Sequence, residues 1–457
     1  MLSMSGCGAR TGLDVAKASR TEGEGWVGGA GSGGTSGAGG MVGGAGAGGV
    51  VSVEEDRCLA AVVGPRPMFR NCSTRDGRSR VPAPGKPHVT WKTKLPTDTT
   101  GHVSTALLVT GGASDAYVVT TENFADKGAV RRLRTTDGAI AWTLDIAPDG
   151  STEAPVVRAN GLVDVYAYDS VSKESVLQID AKAGTAKATT FGFDLYYAPA
   201  MPAVGEDGSL YLVHADDVGT ANSRTYVSRV GPGGDTVWTT PDLATLTTSP
   251  SPGSDVFPST LALARNDAVV ITVMDTISKS GSVALAVGFD GHTGATSWSV
   301  PTPGQLLGGP AILPDGRAVL LAGPANAPNL VIIDVQSGGA TTHALAMPVF
   351  ELYAITRGGV VIAGTDAGQG VDGLIALGLD GKPLWTVPGA MRGATIASDG
   401  TVVAFGATIA GLDPSSGATK WSLSPPVPGS CLADVALASD GTIVGIQCDG
   451  TVFGAAD

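Results

Sequence analysis

The side chains most able to do chemistry in this chain are its five histidines and five cysteines. The histidines lie far apart, without the paired spacing that holds zinc and without a nearby Ser and Asp that would complete a nucleophilic site. They are His88, His102, His214, His292 and His343. Glycine pairs at 111–112, 308–309 and 338–339 are not followed by Lys-Ser or Lys-Thr, so they do not indicate phosphate-binding loops. The residues therefore predict no catalytic, metal or cofactor site.

Four of the cysteines fall into two local pairs, Cys58 with Cys72 and Cys431 with Cys448. A hairpin centred on Asp440-Gly441 would place Cys431 opposite Cys448, which suits a disulfide. Closing a loop of roughly 15 residues adds about 3 kcal/mol in the chain-entropy model, and such bonds persist in oxidising compartments. We therefore expect two disulfides and export. Free buried thiols are the alternative, and zinc is less favoured because no histidine lies near either pair.

The fifth cysteine, Cys7, follows Met4-Ser5-Gly6, and this order of small residues resembles the end of a bacterial lipoprotein signal. In such signals the cysteine is diacylated and becomes the mature N-terminus. The charged segment and the apolar run that a signal peptide needs are missing, which indicates a true start upstream of Met1. The alternative is a cysteine near a cytosolic N-terminus. We expect residues 1–7 to be a signal remnant and the lipid on Cys7 to be the only membrane anchor.

Residues 22–50 are roughly half glycine. A chain of this composition is a flexible coil, and about 30 such residues place their ends on the order of 30 Å apart. The segment 8–52 is therefore predicted to be a disordered tether that holds a folded body away from a membrane surface. A glycine-rich tail without a role is the alternative. The next segment, 53–85, carries Cys58 and Cys72.

The overall composition favours short strands and argues against nucleic acid. With 67 Gly, 28 Pro and only 16% charged residues among 457, many turns are expected rather than long solvated helices. A net charge of −13 opposes binding to a phosphate backbone, which depends on clustered Lys and Arg. Apolar residues nowhere run uninterrupted for the length of a membrane-spanning helix.

A glycine followed four residues later by tryptophan recurs along the chain and organises it. The complete copies are Gly138–Trp142, Gly234–Trp238, Gly294–Trp298, Gly381–Trp385 and Gly417–Trp421. Two further copies keep the glycine but have Ala188 and His343 in the tryptophan position, and Trp91 begins the series without the glycine. These eight anchor positions are 36 to 60 residues apart, a period that indicates a repeat architecture.

A tight-turn dipeptide such as Asp399-Gly400 lies between successive anchors, flanked by short β-branched runs. Both central residues of such a hairpin turn are expected to take positive φ. Two hairpin strands, a third strand and the anchor strand make four antiparallel strands per repeat, which is a propeller blade. Residues 86–457 are therefore predicted to form an all-β, eight-bladed propeller. A parallel β/α fold is not indicated, because no sustained helical periodicity separates the strands.

The two ends of this segment are predicted to share one blade. After Trp421 the chain supplies only three strands, Leu432–Ala438, Thr442–Gln447 and Thr451–Ala455, whereas His88–Leu95 is a fourth strand with no blade before it. Pairing His88–Leu95 with Thr451–Ala455 would complete the ring and remove its open edges. We expect the closed propeller to be monomeric.

Two copies of the repeat, Phe289–Trp298 and Leu412–Trp421, resemble the tryptophan-docking motif of pyrroloquinoline-quinone-type (PQQ-type) propellers, Ala-x-Asp-x-x-Thr-Gly-x-x-x-Trp. The resemblance extends from near Lys86 to Asp457. It implies that each indole stacks between blades and caps a backbone carbonyl, which is a structural role suited to a large ring with one polar N–H. The anchors with this role would be Trp91, Trp142, Trp238, Trp298, Trp385 and Trp421.

The best-known members of that family are quinoprotein dehydrogenases, which need a vicinal disulfide or its equivalent, a Glu/Asn/Asp calcium cluster and an Asp base. None of these can be located here, and no two cysteines are adjacent. The chain looks more similar to the non-catalytic, BamB-like envelope lipoproteins of the family. We therefore expect a non-enzymatic, cofactor-free, lipid-anchored scaffold of the outer membrane, periplasmic or surface face, with envelope proteins as partners. The alternatives are a propeller that binds glycan or peptide in its funnel, and a quinoprotein dehydrogenase.

Overall fold

The computed structural model describes residues 77–96, 105–112, 114–122, 127–146, 155–168, 174–189, 202–216, 224–246, 256–258, 260–264, 268–278, 281–304, 306–324, 326–366, 372–389 and 391–457. The predicted signal remnant, the tether, Cys7, Cys58 and Cys72 lie outside these residues. Those described form β-strands and one short 3-10 helix, Leu243–Leu246. Within them, no helix is long and apolar enough to cross a bilayer.

Seven antiparallel sheets are each formed by one continuous segment of chain, and we number them blades 1 to 7. Blade 1 contains β2 (Thr105–Thr110), β3 (Asp115–Glu122), β4 (Lys127–Arg134) and β5 (Ile140–Ile146); blade 2 contains β6 (Val156–Val157), β7 (Leu162–Tyr168), β8 (Glu174–Asp180) and β9 (Ala186–Thr189); blade 3 contains β10 (Ala203–Val204), β11 (Leu210–Asp216), β12 (Arg224–Val230) and β13 (Thr236–Thr239). Blade 4 contains β14 (Val256–Pro258), β15 (Ala262–Leu263), β16 (Val269–Ser278), β17 (Gly281–Asp290) and β18 (Thr296–Thr302).

The remaining continuous blades follow the same order. Blade 5 contains β19 (Leu306–Ile312), β20 (Ala318–Ala322), β21 (Asn329–Ile333) and β22 (Ala340–Ala344); blade 6 contains β23 (Val349–Ile355), β24 (Val361–Asp366), β25 (Asp372–Leu377) and β26 (Pro383–Pro388); blade 7 contains β27 (Met391–Ile396), β28 (Val402–Gly406), β29 (Ile409–Leu412) and β30 (Thr419–Leu423). First strands of neighbouring blades contact one another, as β19 contacts β23 and β23 contacts β27, so the first strand is the innermost.

A further sheet, here called the composite sheet, joins chain segments that are far apart in sequence. It contains β31 (Leu432–Leu437), β32 (Ile443–Gln447), β33 (Thr451–Ala456) and β1 (His88–Lys94). β1 pairs antiparallel with β33, from His88 opposite Ala456 to Lys94 opposite Thr451. The first strand of this sheet, β31, contacts β28 of blade 7 on one side and β2 of blade 1 on the other. The expected contact between His88–Leu95 and Thr451–Ala455 is therefore present.

The prediction of an eight-bladed propeller with four strands in every blade is wrong. Seven blades are continuous segments, and the composite sheet is a different kind of unit because its strands come from both ends of the described chain. Blade 4 also departs from four strands, because its innermost edge is split into β14 and β15, which both pair with β16. Pro258 ends β14, and a proline has no N–H to continue the ladder.

The hydrophobic core lies between neighbouring sheets rather than within one centre. Because successive side chains of a strand point to opposite faces, each blade contributes to two cores. In blade 5, Leu320 packs with Ala286 and Trp298 of blade 4, whereas its neighbour Leu321 packs with Leu352 of blade 6. The same arrangement joins the composite sheet to blades 7 and 1. The ring is thus stabilised by a series of interfaces, each dependent on two adjacent sheets.

The hairpin turns between first and second strands do not have the predicted backbone. The glycine takes positive φ, for example 83° at Gly208 and 85° at Gly400, but among the described residues Ser114 is the one non-glycine with positive φ. The aspartate therefore stays in the ordinary region. Its carboxylate instead accepts the amide two residues later, as Asp399 Oδ1 does from Thr401 at 3.1 Å. These five-residue loops match a type I turn followed by a left-handed glycine.

Candidate functional site

Five of the six predicted indole anchors donate their ring N–H to a backbone carbonyl of the next blade. Trp91 donates to Thr135, Trp142 to Ala181, Trp238 to Gly291, Trp298 to Val335 and Trp385 to Pro414, over 2.6 to 3.1 Å. The accepting residue always lies three positions before the turn glycine of that blade. A buried indole N–H needs such a partner, so the contact fixes the ring across the junction.

The backbone of the turn glycine packs closely against the indole ring of the preceding blade. A methyl group at Gly184 would come within 2.7 Å of the Trp142 ring, and one at Gly294 within 2.6 Å of the Trp238 ring. Gly184 and Gly294 also have φ values of 70° and 74°, a backbone region that residues other than glycine rarely adopt. The Gly-x-x-x-Trp spacing therefore combines two different contacts. In Gly294–Trp298, for example, the glycine packs on Trp238 of blade 3 and the tryptophan docks on blade 5.

The residue opposite each indole on the third strand falls into two kinds. Small residues lie beneath Trp91, Trp298, Trp421 and Trp385; they are Gly454, Gly288, Gly411 and Ala376. Arginines lie opposite Trp142 and Trp238, and each donates to the carbonyl that also accepts the indole. Arg132 donates to Ala181 O and Arg229 to Gly291 O, at 3.0 and 3.1 Å.

The two anchor positions without tryptophan face a different turn. In blades 1, 2, 4, 5 and 7 the turn glycine donates to the carbonyl four residues earlier, as Gly294 does to Asp290. In blades 3 and 6, which follow Ala188 and His343, the glycine donates three residues earlier, Gly234 to Gly231 and Gly381 to Gly378. The carbonyl at the indole-accepting position is then used within the turn itself. The shorter turn thus explains why these two junctions have no docked tryptophan.

Trp421 faces the composite sheet, where β33 and β1 are not joined by a repeat turn. The Asp457 carboxylate accepts the amides of Gly85 and Lys86, at 3.0 and 2.6 Å. It thereby takes the part that Asp413 plays in blade 7, where the carboxylate accepts the amides of Ser415 and Ser416. The side-chain hydrogen bond from Ser415 holds the pKa of Asp413 below its usual value, and the amides of Lys86 and then Gly85 do the same for Asp457.

The blade 2–3 junction contains buried polar groups. On blade 3, His214 Nε2 lies 2.8 Å from Ser228 Oγ, which lies 2.7 Å from Thr239 Oγ1. Burial lowers the pKa of His214 to about 4. Ser228 is fully buried, so a substrate cannot reach this pair without the junction opening. A structural role in the sheet accounts for these contacts.

A second polar pair lies on blade 2 at the same junction. The Arg158 guanidinium donates to Asp164, and its Nη1 reaches Gly208 O of blade 3 at 3.0 Å. Both side chains are buried, and Asp164 Oδ1 has no hydrogen-bond partner. Burial raises the pKa of Asp164, although the positive charge of Arg158 opposes this effect. The carboxylate thus orients an arginine that joins two blades.

The predicted cysteine sites have different outcomes. Cys431 and Cys448 form a disulfide across the β31–β32 hairpin, with their Cα atoms 5.3 Å apart. The cysteines outside the described residues, Cys7, Cys58 and Cys72, remain predictions. The described residues do not supply the vicinal disulfide of the quinoprotein dehydrogenases, because Cys431 precedes β31 and Cys448 follows β32. Within the described part of the chain, no group of three His, Cys, Asp or Glu could hold a metal ion.

An extended segment of the chain, which we call the strap and define as Gly77–Val81, packs on blade 7. It lies along the end of β27, the innermost strand of blade 7, where Arg78 forms a parallel bridge with Ile396. Gly77 O accepts the Ile396 amide at 2.9 Å, Ser79 donates its amide to Ile396 O at 2.6 Å, and Val81 O accepts the Ser398 amide at 2.9 Å. The strap is therefore seated by main-chain hydrogen bonds, as an added strand would be.

The strap residues alternate between the groove and solvent. Gly77 and Ser79 are buried, Arg78 is partly exposed and Arg80 is exposed. Thr395 Oγ1 also donates to Gly77 O, at 2.8 Å. A side chain at position 77 would come within 2.6 Å of Ala354 Cβ, so this position accepts glycine alone. The groove beside β27 thus selects residue size as well as backbone shape, and it is the strongest candidate for a binding site.

Comparison with known proteins shows the fold. The chain is similar to quinohemoprotein alcohol dehydrogenase from Comamonas testosteroni, with 13% identity, a TM-score of 0.58, and coverage of 85% of this chain and 80% of that one. It is also similar to Sqt1 from Chaetomium thermophilum, with 12% identity, a TM-score of 0.51, and coverage of 82% and 98%. Both likenesses show a β-propeller. The sequence matches no protein-family model and no curated protein.

Some contacts at these sites had a sequence signal and others had none. Gly288, Gly411 and Gly454 lie opposite a tryptophan in the strand register, so strand pairing predicted from the sequence places them beneath an indole. The strap gives no such signal, because Gly-Arg-Ser-Arg-Val is too short and polar to predict a strand. The Arg158–Asp164 pair is likewise recognisable only once the hairpin brings its members together.

Proposed function

We propose that the chain is a non-enzymatic propeller scaffold of the bacterial cell envelope that binds protein partners and is held at a membrane by lipid on Cys7. The observation that supports this best is the use of its chemistry-bearing side chains in the ring. Indoles dock between blades, His214 is buried in a sheet, and the described cysteines are paired. A closed ring of this kind is a rigid platform that presents its surfaces to partners.

The disulfide and the resemblance to BamB-like lipoproteins support the location. Cys431–Cys448 is the kind of bond that persists in oxidising compartments, which agrees with export. A lipid on Cys7 followed by the glycine-rich segment would let the propeller act at a distance of tens of Å from a membrane. Partners would then be other envelope proteins rather than nucleic acid, which the net charge of −13 disfavours.

The partner can be sought directly by purifying the tagged chain, expressed from its native gene, out of membranes in mild detergent. We expect one or more proteins to elute with it at a constant ratio, as mass spectrometry would show, and Cys7→Ala to move the chain into the soluble fraction. Recovery of the chain alone would contradict the scaffold. Dye-linked alcohol oxidation after addition of the quinone and calcium would contradict the absence of enzymatic activity.

A further inference from the structure

We propose that the strap groove, formed by Thr395–Ser398 with Tyr353 and Ala354, is a binding site for an extended segment of a partner protein, and that the strap occupies it as an internal substitute. This proposal deepens the proposed scaffold function, because it names the site and the chemistry of the partner's segment. The segment would bind by strand addition, pairing in parallel with the end of β27 through its main chain.

The position of the groove in the ring supports strand addition. β27 is the innermost strand of blade 7, so one of its edges is free of any partner strand of its own blade. Such an edge presents unpaired N–H and C=O groups and is a template for another extended chain. Here Ile396 uses both its N–H and its C=O on the strap, and Ser398 uses its N–H. The chain itself thus demonstrates that this edge accepts an added strand.

The inward positions of the strap define what the groove accepts. Position 77 requires glycine, because its φ is 69° and Ala354 Cβ together with Tyr353 O leaves no room for a side chain. Ser79 is 3% exposed, and Val81 is partly buried against the core between blade 7 and the composite sheet. Arg78 and Arg80 take the outward positions, where Arg78 is partly exposed and Arg80 exposed. A fitting partner segment therefore has Gly, Ser and Val at alternate positions, with small substitutions allowed for Ser.

The strap pairs with β27 over a shorter length than the strands of a blade pair with one another. Its pairing with β27 is a single parallel bridge, whereas β27 and β28 are paired along five positions. β1 does not depend on the strap, since it pairs with β33 and the preceding amides of Gly85 and Lys86 bond to Asp457. The strap can therefore leave the groove while the composite sheet remains closed, which is what exchange with a partner segment requires.

The test uses the full chain and a fluorescent peptide of residues 75–83, Arg-Asp-Gly-Arg-Ser-Arg-Val-Pro-Ala. Gly77→Val in the protein should expel its own strap, since valine does not tolerate a φ of 69° and does not fit the space beside Ala354. We expect the peptide to bind the Gly77→Val protein saturably by fluorescence anisotropy, and at least tenfold more weakly to the wild type. The peptide with valine in place of its glycine should not bind. The control is Gly161→Val, which has the same backbone strain at φ 82° with open space around it, and it should behave as the wild type.

Equal binding to wild type and Gly77→Val, or no binding to a folded Gly77→Val, would overturn the proposal. If Gly77→Val does not fold, hydrogen exchange in the wild type decides. The Ser79 and Ser398 amides should exchange by local opening at least tenfold faster than the Ala404 amide of β28, and exchange only through global unfolding would overturn the proposal. Co-purification of a partner that still binds after Gly77→Val and is not displaced by the peptide would refute the groove while leaving the scaffold intact.

Discussion

The blade 4–5 junction and the blade 2–3 junction differ in how two sheets are joined. At the blade 4–5 junction Trp298 lies over Gly288, donates to Val335 O and contacts Gly338 of the long turn. At the blade 2–3 junction the anchor position holds the exposed Ala188, and Arg158 donates to Gly208 O across the junction. The comparison shows that the tryptophan and the turn it meets vary together, although they belong to different blades.

The physical reason is that docking needs a free carbonyl. The long turn leaves the carbonyl three residues before its glycine unused by the turn, and the indole N–H takes it. In the short turn that carbonyl accepts the amide of the turn's own glycine, so a buried indole would lack a good partner. In each repeat the turn is thus matched to the preceding blade, and the anchor residue is matched to the following blade. A blade with a short turn would therefore not accept a docked tryptophan from the blade before it.

The largest effect is expected from removal of a docked indole. Trp298→Ala should lower the free energy of unfolding by about 3 to 5 kcal/mol, because it empties a buried site and leaves Val335 O without its donor. Denaturant titration measures the change. The matched control is Ala188→Ser at the undocked junction, which should stay within about 0.5 kcal/mol of the wild type. A loss under about 1 kcal/mol for Trp298→Ala would mean that docking does not hold the junction.

A smaller loss is expected in the composite sheet, which has no repeat turn between β33 and β1. The double change Cys431→Ser and Cys448→Ser should lower stability by about 3 kcal/mol, since a loop spanning 17 residues is no longer closed in the unfolded chain. Thermal or urea unfolding with and without reductant checks it. Reductant should destabilise the wild type more than the double variant, which keeps the predicted Cys58–Cys72 bond, and an equal effect of reductant on both proteins would contradict the stabilising role of the Cys431–Cys448 bond.

The buried histidine should make stability depend on pH. Because the pKa of His214 is lowered from 6.5 to about 4, the unfolded chain binds a proton first as pH falls. The free energy of unfolding is therefore unaffected by this group above about pH 6.5. It falls by up to about 3 kcal/mol as the pH is lowered from there to about pH 4. Unfolding at several pH values should show a flatter profile for His214→Gln in this window. The exposed His292→Gln is the control, and identical profiles for all three proteins would refute this account.

The smallest effect concerns the glycine beneath an indole. Gly288→Ala should cost about 1 to 3 kcal/mol, because its methyl group would overlap the Trp298 ring and displace it. Gly358→Ala is a suitable control, since it is exposed and its nearest neighbour lies 3.8 Å away. In the Trp298→Ala background the cost of Gly288→Ala should disappear. A cost that persists there would indicate that the glycine is needed for its backbone and not for the ring above it.

The sequence predicted the repeat, the pairing of β1 with β33 and the Cys431–Cys448 bond, because each depends on spacing along the chain. Alternating apolar residues and turn dipeptides set strand positions, and hairpin register then fixed which cysteines meet. The same pattern predicted blades and turns that are more alike than the structure shows. It does not indicate that the inner edge of blade 4 is split after Pro258, nor that Asp399 keeps an ordinary φ beside Gly400.

Other features arise only from contacts between distant segments. The contact of Arg158 with Gly208 O joins blades 2 and 3, and the position of Gly77 depends on Ala354, 277 positions further along the chain. Polar residues at such places look like ordinary loop residues in the sequence. The candidate groove could therefore not be predicted, since its specificity comes from the space left between β23 and β27 rather than from a motif.

Native-state hydrogen exchange tests the central claim most directly, namely that indole docking decides how firmly neighbouring blades are joined. The amides of β8, β9 and β12 should open with a lower free energy than those of β17, β18 and β21, because Ala188 supplies no docked ring at the blade 2–3 junction. Equal protection on both sides, or greater protection at the blade 2–3 junction, would contradict the account.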